Sequence, residues 1–101
     1  MRSIWRVENH KGEGCYKNKN TRLILSSHDK DKINHPLPID DIGIERDREL
    51  NEICGFKDLK QAYSWFSLSE LIELEKFGYF LRKRIIKQIT AEGKKQVLGI
   101  R

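Results

Sequence analysis

Residues 3–8, SIWRVE, alternate between two faces in the way that a half-buried β-strand does. Ile4, Arg6 and Glu8 fall on one face and the residues between them fall on the other, and the segment includes aromatic and β-branched side chains. A polar loop that contains glycine follows this strand. The apolar run TRLILSS, which begins at Thr21, then predicts a second strand.

A long irregular segment comes next. Residues 28–43 contain both prolines of the protein, paired aspartates and no stable periodicity, which is typical of a long surface loop. Asp40 or Asp41 is a suitable N-cap for a helix through IERDRELNEIC. Leu50 lies on the apolar face of that helix, and Gly55 provides its stop.

Two capping boxes predict two further short helices. Asp58 with Gln61 begins the earlier one, and Ser67 with Glu70 begins the later one. The later helix ends at Gly78, because glycine accepts the backbone conformation that closes a helix. The apolar face of the earlier helix comprises Leu59, Ala62, Tyr63 and Phe66.

The C-terminal region predicts a hairpin. YFLRKRIIKQI, from Tyr79, is β-branched and aromatic at its ends, AEGK is a turn, and KQVLGI returns as the antiparallel partner. The fold class is therefore α+β, with a small antiparallel sheet of three to four strands packed against two to three short helices. We expect residues 1–101 to form a single domain.

Charge is distributed unevenly along this chain. Residues 1–32 carry a net charge of +4, residues 33–77 carry −5 and residues 78–101 carry +6, within an overall charge of +5. If the terminal strands meet in one sheet, the sheet side is basic and the helix side is acidic.

Four basic residues crowd one strand of the predicted hairpin: Arg82, Lys83, Arg84 and Lys87. Because strand side chains alternate, the sequence leaves open which of them face solvent. One interpretation is an edge strand kept soluble by its charges, and such an edge also permits a homodimer. The other is a binding surface for nucleic acid or for an acidic protein.

Several classes of site are disfavoured by composition and spacing. Cys15 and Cys54 are too far apart for a zinc pair and predict reduced thiols. The three histidines do not fall at zinc-site spacings, so we expect no metal. No serine or cysteine lies in a nucleophile motif, so no catalytic residue is assigned. No segment approaches the roughly 18 apolar residues of a membrane span, so we expect a cytoplasmic protein without a membrane partner.

The combination of WRVEN, GEG followed by Cys15 and Tyr16, HPLP, CGFKDLKQAYSWF and a final KKQVLGI resembles small accessory proteins encoded by bacteriophages and prophages. This resemblance implies a protein that acts in the cytoplasm of a bacterial host cell. It also implies binding and inhibition of a host macromolecular machine, such as a nucleic-acid-handling or defence complex, without catalysis or a cofactor. The partner is then a host protein or nucleoprotein complex.

A second resemblance suggests a ligand pocket. An opening strand with Arg6, a polar loop with Tyr16 and a closing strand with Gln96 are similar to the architecture of minimal ADP-ribosyltransferases. That family has a catalytic glutamate where this chain has Gln96, so the resemblance implies binding of a nicotinamide nucleotide such as NAD without turnover. His28, at the edge of the long loop, completes this pocket. Direct nucleic-acid binding through the basic strand is the third hypothesis.

Overall fold

The computed structural model describes residues 2–101 and places five strands and three α-helices within that range. This confirms the predicted α+β class, with two small antiparallel sheets where one was expected. Short 3₁₀ turns cover Cys15–Lys17, Ser26–Lys30 and Pro38–Asp40. The main elements in chain order are β1 (Arg2–Glu8), α1 (Lys19–Ile24), β2 (Glu52–Gly55), α2 (Leu59–Trp65), α3 (Leu68–Glu75), β3 (Phe80–Ile86), β4 (Gln88–Glu92) and β5 (Val97–Ile100).

The strands follow one another around a ring. β1 pairs with β3, and β5 lies between β2 and β4, all antiparallel. β3 runs into β4 through Lys87, whose amide donates to the carbonyl oxygen of Ile100 at 2.8 Å. The ring closes between β1 and the end of β2, where Trp5 and Phe56 exchange two backbone hydrogen bonds of 2.7 Å each.

Gly55 makes this closure possible. A Cβ atom at this position would lie 2.6 Å from Cδ1 of Ile4 and 2.7 Å from the carbonyl oxygen of Trp5. Real Cβ atoms do not approach other atoms so closely, so a side chain here would push β1 away from β2.

The core has two parts, on either side of β1. Ile4, Ile86 and Val97 form a small cluster, against which Ile53 of β2 and Ile89 of β4 pack. The larger cluster packs the other side against the helices, and its buried members are Val7, Cys15, Leu25, Phe56, Ala62, Phe66, Leu74 and Tyr79.

The strand at the N-terminus and the two capped helices are confirmed. The Asp58 carboxylate accepts the Gln61 amide at 2.8 Å. At the start of α3, Ser67 and Glu70 exchange the two bonds of a capping box, at 3.2 and 2.8 Å. Gly78 follows α3 with a φ of +84°. The predicted apolar face of α2 is correct at Ala62 and Phe66 and wrong at Leu59 and Tyr63, which are 38% and 54% exposed.

The predicted strand at TRLILSS is wrong, because this segment forms helix α1. The side chain of Asn18 caps the helix by accepting the amides of Asn20 and Thr21 at 2.8 and 3.3 Å. The Thr21 hydroxyl donates to the carbonyl oxygen of Cys15 and ties the helix to the preceding turn. This local capping outweighs the strand preference of the apolar run.

The predicted helix through IERDRELNEIC is also wrong. Its last residues form β2, whose backbone pairs with β5, and Leu50 is fully exposed. The predicted hairpin forms, but β4 is the strand that pairs with β5, while β3 pairs with β1. In both cases a distant strand supplies hydrogen bonds that local sequence does not reveal.

Glu52 anchors the segment before β2. Its carboxylate, 2% exposed, accepts two hydrogen bonds of 2.8 Å from the Arg46 guanidinium. It also accepts the Glu49 amide at 2.8 Å and the Thr90 hydroxyl of β4. These bonds, those from Arg46 above all, lower the pKa of Glu52 to about 2.

We expect Glu52 to make stability depend on acid pH. Its pKa in the folded chain lies below the ordinary 4.5, so its contribution is present above pH 4.5 and is lost as pH falls toward 2. Glu52→Gln should cost about 1–3 kcal/mol near pH 7. Melting temperatures from pH 7 to 2.5 should fall less steeply for Glu52→Gln than for the unmodified chain. Glu75→Gln, at an exposed position, is the control and should follow the unmodified chain. If the melting temperatures of Glu52→Gln and of the unmodified chain fell equally steeply with pH, the role assigned to Glu52 would be contradicted.

Candidate functional site

A cavity of about 660 Å³ lies beside the ring of strands, between β1, the 3₁₀ turns and the end of α2. The four residues of the predicted pocket all line this cavity: Arg6, Tyr16, His28 and Gln96. They come from strands and turns far apart in the chain. The volume is in the usual range for small-molecule sites.

A chain of hydrogen bonds runs along one wall of the cavity. The indole Nε1 of Trp65 donates to the Tyr16 hydroxyl at 2.8 Å. That hydroxyl lies 2.6 Å from Nδ1 of His28, and Nε2 of His28 lies 2.9 Å from the Glu70 carboxylate. A neutral His28 with its proton on Nε2 satisfies every link, because it accepts from Tyr16 and donates to Glu70.

His35 stacks on this chain. Its ring lies parallel to that of His28, with the centroids 3.8 Å apart. One ring nitrogen lies 2.7 Å from the carbonyl oxygen of Trp65 and the other lies 3.0 Å from that of Asp31. Both ring nitrogens of His35 therefore face backbone carbonyl oxygens, which holds the ring against His28.

Arg6 enters the cavity from β1. Its Nη1 donates to the carbonyl oxygen of Cys54 at 2.7 Å, and a Cβ at Gly14 would lie 3.1 Å from its Nη2. Its Nε has no hydrogen-bond partner within residues 2–101 and lies 3.7 Å from buried Glu8. Glu8 lies closer to Arg84, at 3.1 Å. Burial lowers the pKa of Arg6.

Gln96 has a structural role at the edge of the cavity. Its side-chain amide donates to the carbonyl oxygen of Pro36 at 2.8 Å, and its backbone amide donates to the Asp41 carboxylate at 3.1 Å. Asp41, which is buried, also accepts the Lys95 amide. Residues in the 28–43 segment are thereby attached to the turn that precedes β5. Sequence reasoning assigned Asp41 to a helix cap and missed this contact.

The basic strand is divided between two environments. Arg82, Lys83 and Lys87 are exposed, while Arg84 is half-buried and paired with Glu8. In the described part of the chain, β3 pairs with β1 alone and leaves its other edge open. This placement is compatible with both interpretations of the strand, the charged edge and the binding surface.

A second depression is apolar and lies on the helix side. We call it the α2–α3 groove; it is lined by Trp5, Leu59, Tyr63, Leu68, Leu71, Ile72, Glu75 and Leu81. Leu68 is 70% exposed and Ile72 is 50% exposed. The sequence pattern missed this surface, because the apolar positions of an amphipathic helix are ordinarily assigned to the core.

Three further features can be examined in residues 2–101: a metal site, the two cysteines and a membrane-spanning helix. No group of three His, Cys, Asp or Glu residues there is arranged to hold a metal ion. Burial raises the pKa of the Cys15 thiol to about 12 and also raises that of Cys54, which disfavours reactive thiolates. Within the same range, no helix has the length and apolar character needed to span a bilayer.

Comparison with protein-family models gives a match over nearly the whole chain. A family model described as "Bacteriophage T4 Y00F protein" matches residues 1–100. This confirms the predicted relation to small phage-encoded proteins. Searches of curated proteins and of solved structures gave no match.

The environment of His28 in the Tyr16–His28–Glu70 hydrogen-bond chain predicts that its pKa is low. Burial lowers the pKa of His28 below its ordinary 6.5, and the hydrogen bond to Glu70 partly opposes this. His28 therefore favours the folded state above pH 6.5, and this contribution is lost as pH falls toward the lowered pKa. Imidazole chemical shifts followed by NMR should show a midpoint below 6.5, with Asp29 and His35 as the other nearby ionisable groups.

Glu70→Gln should lower the His28 midpoint further, because it removes the charge that supports protonation. A His28 midpoint at or above 6.5 in the folded protein would contradict the dominant effect of burial on its pKa. A midpoint that rises in Glu70→Gln would contradict the assigned hydrogen bond between His28 and Glu70.

Proposed function

The chain belongs to the bacteriophage T4 Y00F protein family, and from that premise we propose that it is an accessory protein that binds and inhibits a host macromolecular complex. The partner is a host protein or nucleoprotein complex in the bacterial cytoplasm, and inhibition needs no catalysis by this chain. The observation that carries the proposal is the exposed apolar α2–α3 groove.

The groove has the composition of a protein-binding surface. Aromatic Trp5 and Tyr63 lie among aliphatic side chains that project to solvent from α2 and α3. Aromatic residues within an apolar patch are typical of the central part of protein interfaces. Scattered exposed apolar residues are common, but a contiguous set around one depression supports docking.

Charge indicates the chemistry of the partner. α3 contains three glutamates and no lysine or arginine, and Glu75 lies in the groove itself. An acidic residue beside an apolar centre favours a partner segment that carries apolar anchors and basic residues. Proteins that handle nucleic acids commonly present basic surfaces. This supports a nucleic-acid-handling machine as the target.

A double substitution in the groove tests this proposal. Leu68→Glu with Ile72→Glu places two charges in the apolar centre, where they should weaken partner binding more than about tenfold. Both positions are at least half exposed, so the fold should be retained. Leu50→Glu is the matched control, because Leu50 is fully exposed and lies outside the groove. The measurement is affinity capture from a bacterial lysate with quantitative mass spectrometry.

The expected result is a component of a host complex captured by the unmodified chain and by Leu50→Glu, and lost with the double variant. Addition of purified protein should also inhibit that complex. Equal capture by all three forms, or capture without inhibition, would contradict the proposal.

A further inference from the structure

One part of the wall of the 660 Å³ cavity is aromatic. Tyr16, Phe56, Trp65 and Phe66 line it together with the stacked histidines. The Trp65 ring meets His35 edge-on and Phe56 at a tilt, which fixes its orientation. Such a rigid wall offers stacking and edge contacts to a planar ring.

The same cavity is also cationic. Arg6, Arg22 and Arg48 line it, against the two carboxylates of Asp29 and Asp47. Arg22 is exposed, so its guanidinium group can turn toward an occupant without a change in the core. Arg48 is also exposed, and its Nη1 donates to the carbonyl oxygen of Glu52 at 2.6 Å, which holds this guanidinium at the cavity. Guanidinium groups bind phosphate through paired hydrogen bonds.

Arg6 gives the strongest indication of a bound anion. A buried guanidinium with an unpaired Nε is costly, since burial removes the water that would otherwise satisfy it. The buried Glu8 carboxylate is its counter-charge, 3.7 Å from Nε of Arg6 and 3.1 Å from Arg84, and within residues 2–101 neither Glu8 oxygen has a hydrogen-bond partner. Two guanidinium groups against one carboxylate leave one positive charge uncompensated, and this charge favours an anion in the cavity.

We propose that this cavity binds a nucleoside monophosphate, with the base against the Trp65 wall and the phosphate directed to the arginines. A purely apolar occupant would leave the positive charge of the cavity without a counter-charge, and an inorganic anion would make no contact with the aromatic side chains. The site lies away from the α2–α3 groove, so the proposal is independent of the protein-binding function. Nicotinamide mononucleotide belongs to the same chemical class as AMP.

Tryptophan fluorescence tests this proposal directly. The chain has two tryptophans, of which Trp65 lines the cavity and Trp5 lines the groove. Trp5→Phe therefore leaves Trp65 as the single reporter. AMP and nicotinamide mononucleotide are the probes, and adenosine and inorganic phosphate are the partial ligands. We expect a saturable change in Trp65 emission with at least one nucleotide, and at least tenfold weaker binding of adenosine and of phosphate.

Variants of the exposed arginines identify the phosphate contact. Arg22→Gln with Arg48→Gln should weaken nucleotide binding at least tenfold, and added salt should weaken it as well. Arg2→Gln is the control, because Arg2 is exposed and lies outside the cavity. Thermal shift of the unmodified chain provides a second readout that does not depend on Trp5→Phe.

Three results would overturn the proposal. If adenosine bound as tightly as AMP, the phosphate would make no contact that contributes to affinity. If phosphate bound as tightly as AMP, the base would make no such contact. The site itself would be excluded if neither nucleotide, at millimolar concentration, changed the Trp65 emission or the melting temperature of the folded protein.

Discussion

The paired backbone hydrogen bonds between Trp5 and Phe56 are the contact on which the rest of the structure depends. They join the β1–β3 pair to the three-stranded sheet and so close the strands into a ring. The closure requires Gly55, since any Cβ there would clash with β1. With the ring closed, Arg6 reaches the carbonyl oxygen of Cys54 and Phe56 packs into the larger core. One wall of the cavity is thus a direct product of this contact.

β1 contributes different residues to the two candidate surfaces. Trp5 contributes to the α2–α3 groove, and its neighbour Arg6 contributes to the cavity. This separation also sorts the charges, because the acidic helix α3 borders the groove while arginines border the cavity. The net charge of +5 conceals this arrangement. A small chain can in this way present one surface to a protein and another to a small anionic molecule.

Local signals in the sequence predicted the local elements. The capping residues of α2 and α3 act within one turn of their helices, so their effect is visible in the sequence. α1 was missed because the local cap at Asn18 stabilises a helix in an apolar run that resembles a strand. β2 was missed because pairing with the distant β5 stabilises a strand in a segment that resembles a helix. The prediction that Arg6, Tyr16, His28 and Gln96 share a pocket came from a resemblance, and the structure places all four at one cavity. Their contacts with Cys54, Trp65, Glu70 and Pro36 depend on long-range packing, which no periodicity encodes.

Hydrogen exchange at the Trp5 and Phe56 amides, followed by NMR, tests the closure of the ring most directly. If the ring is closed, both amides exchange as slowly as the hydrogen-bonded amides of the β1–β3 ladder, because opening them requires the two sheets to separate. Exchange as fast as that of the exposed Leu50 amide, while the β1–β3 ladder stays protected, would show that the ring is open. That result would contradict the account of how β1 and β2 together hold the cavity wall.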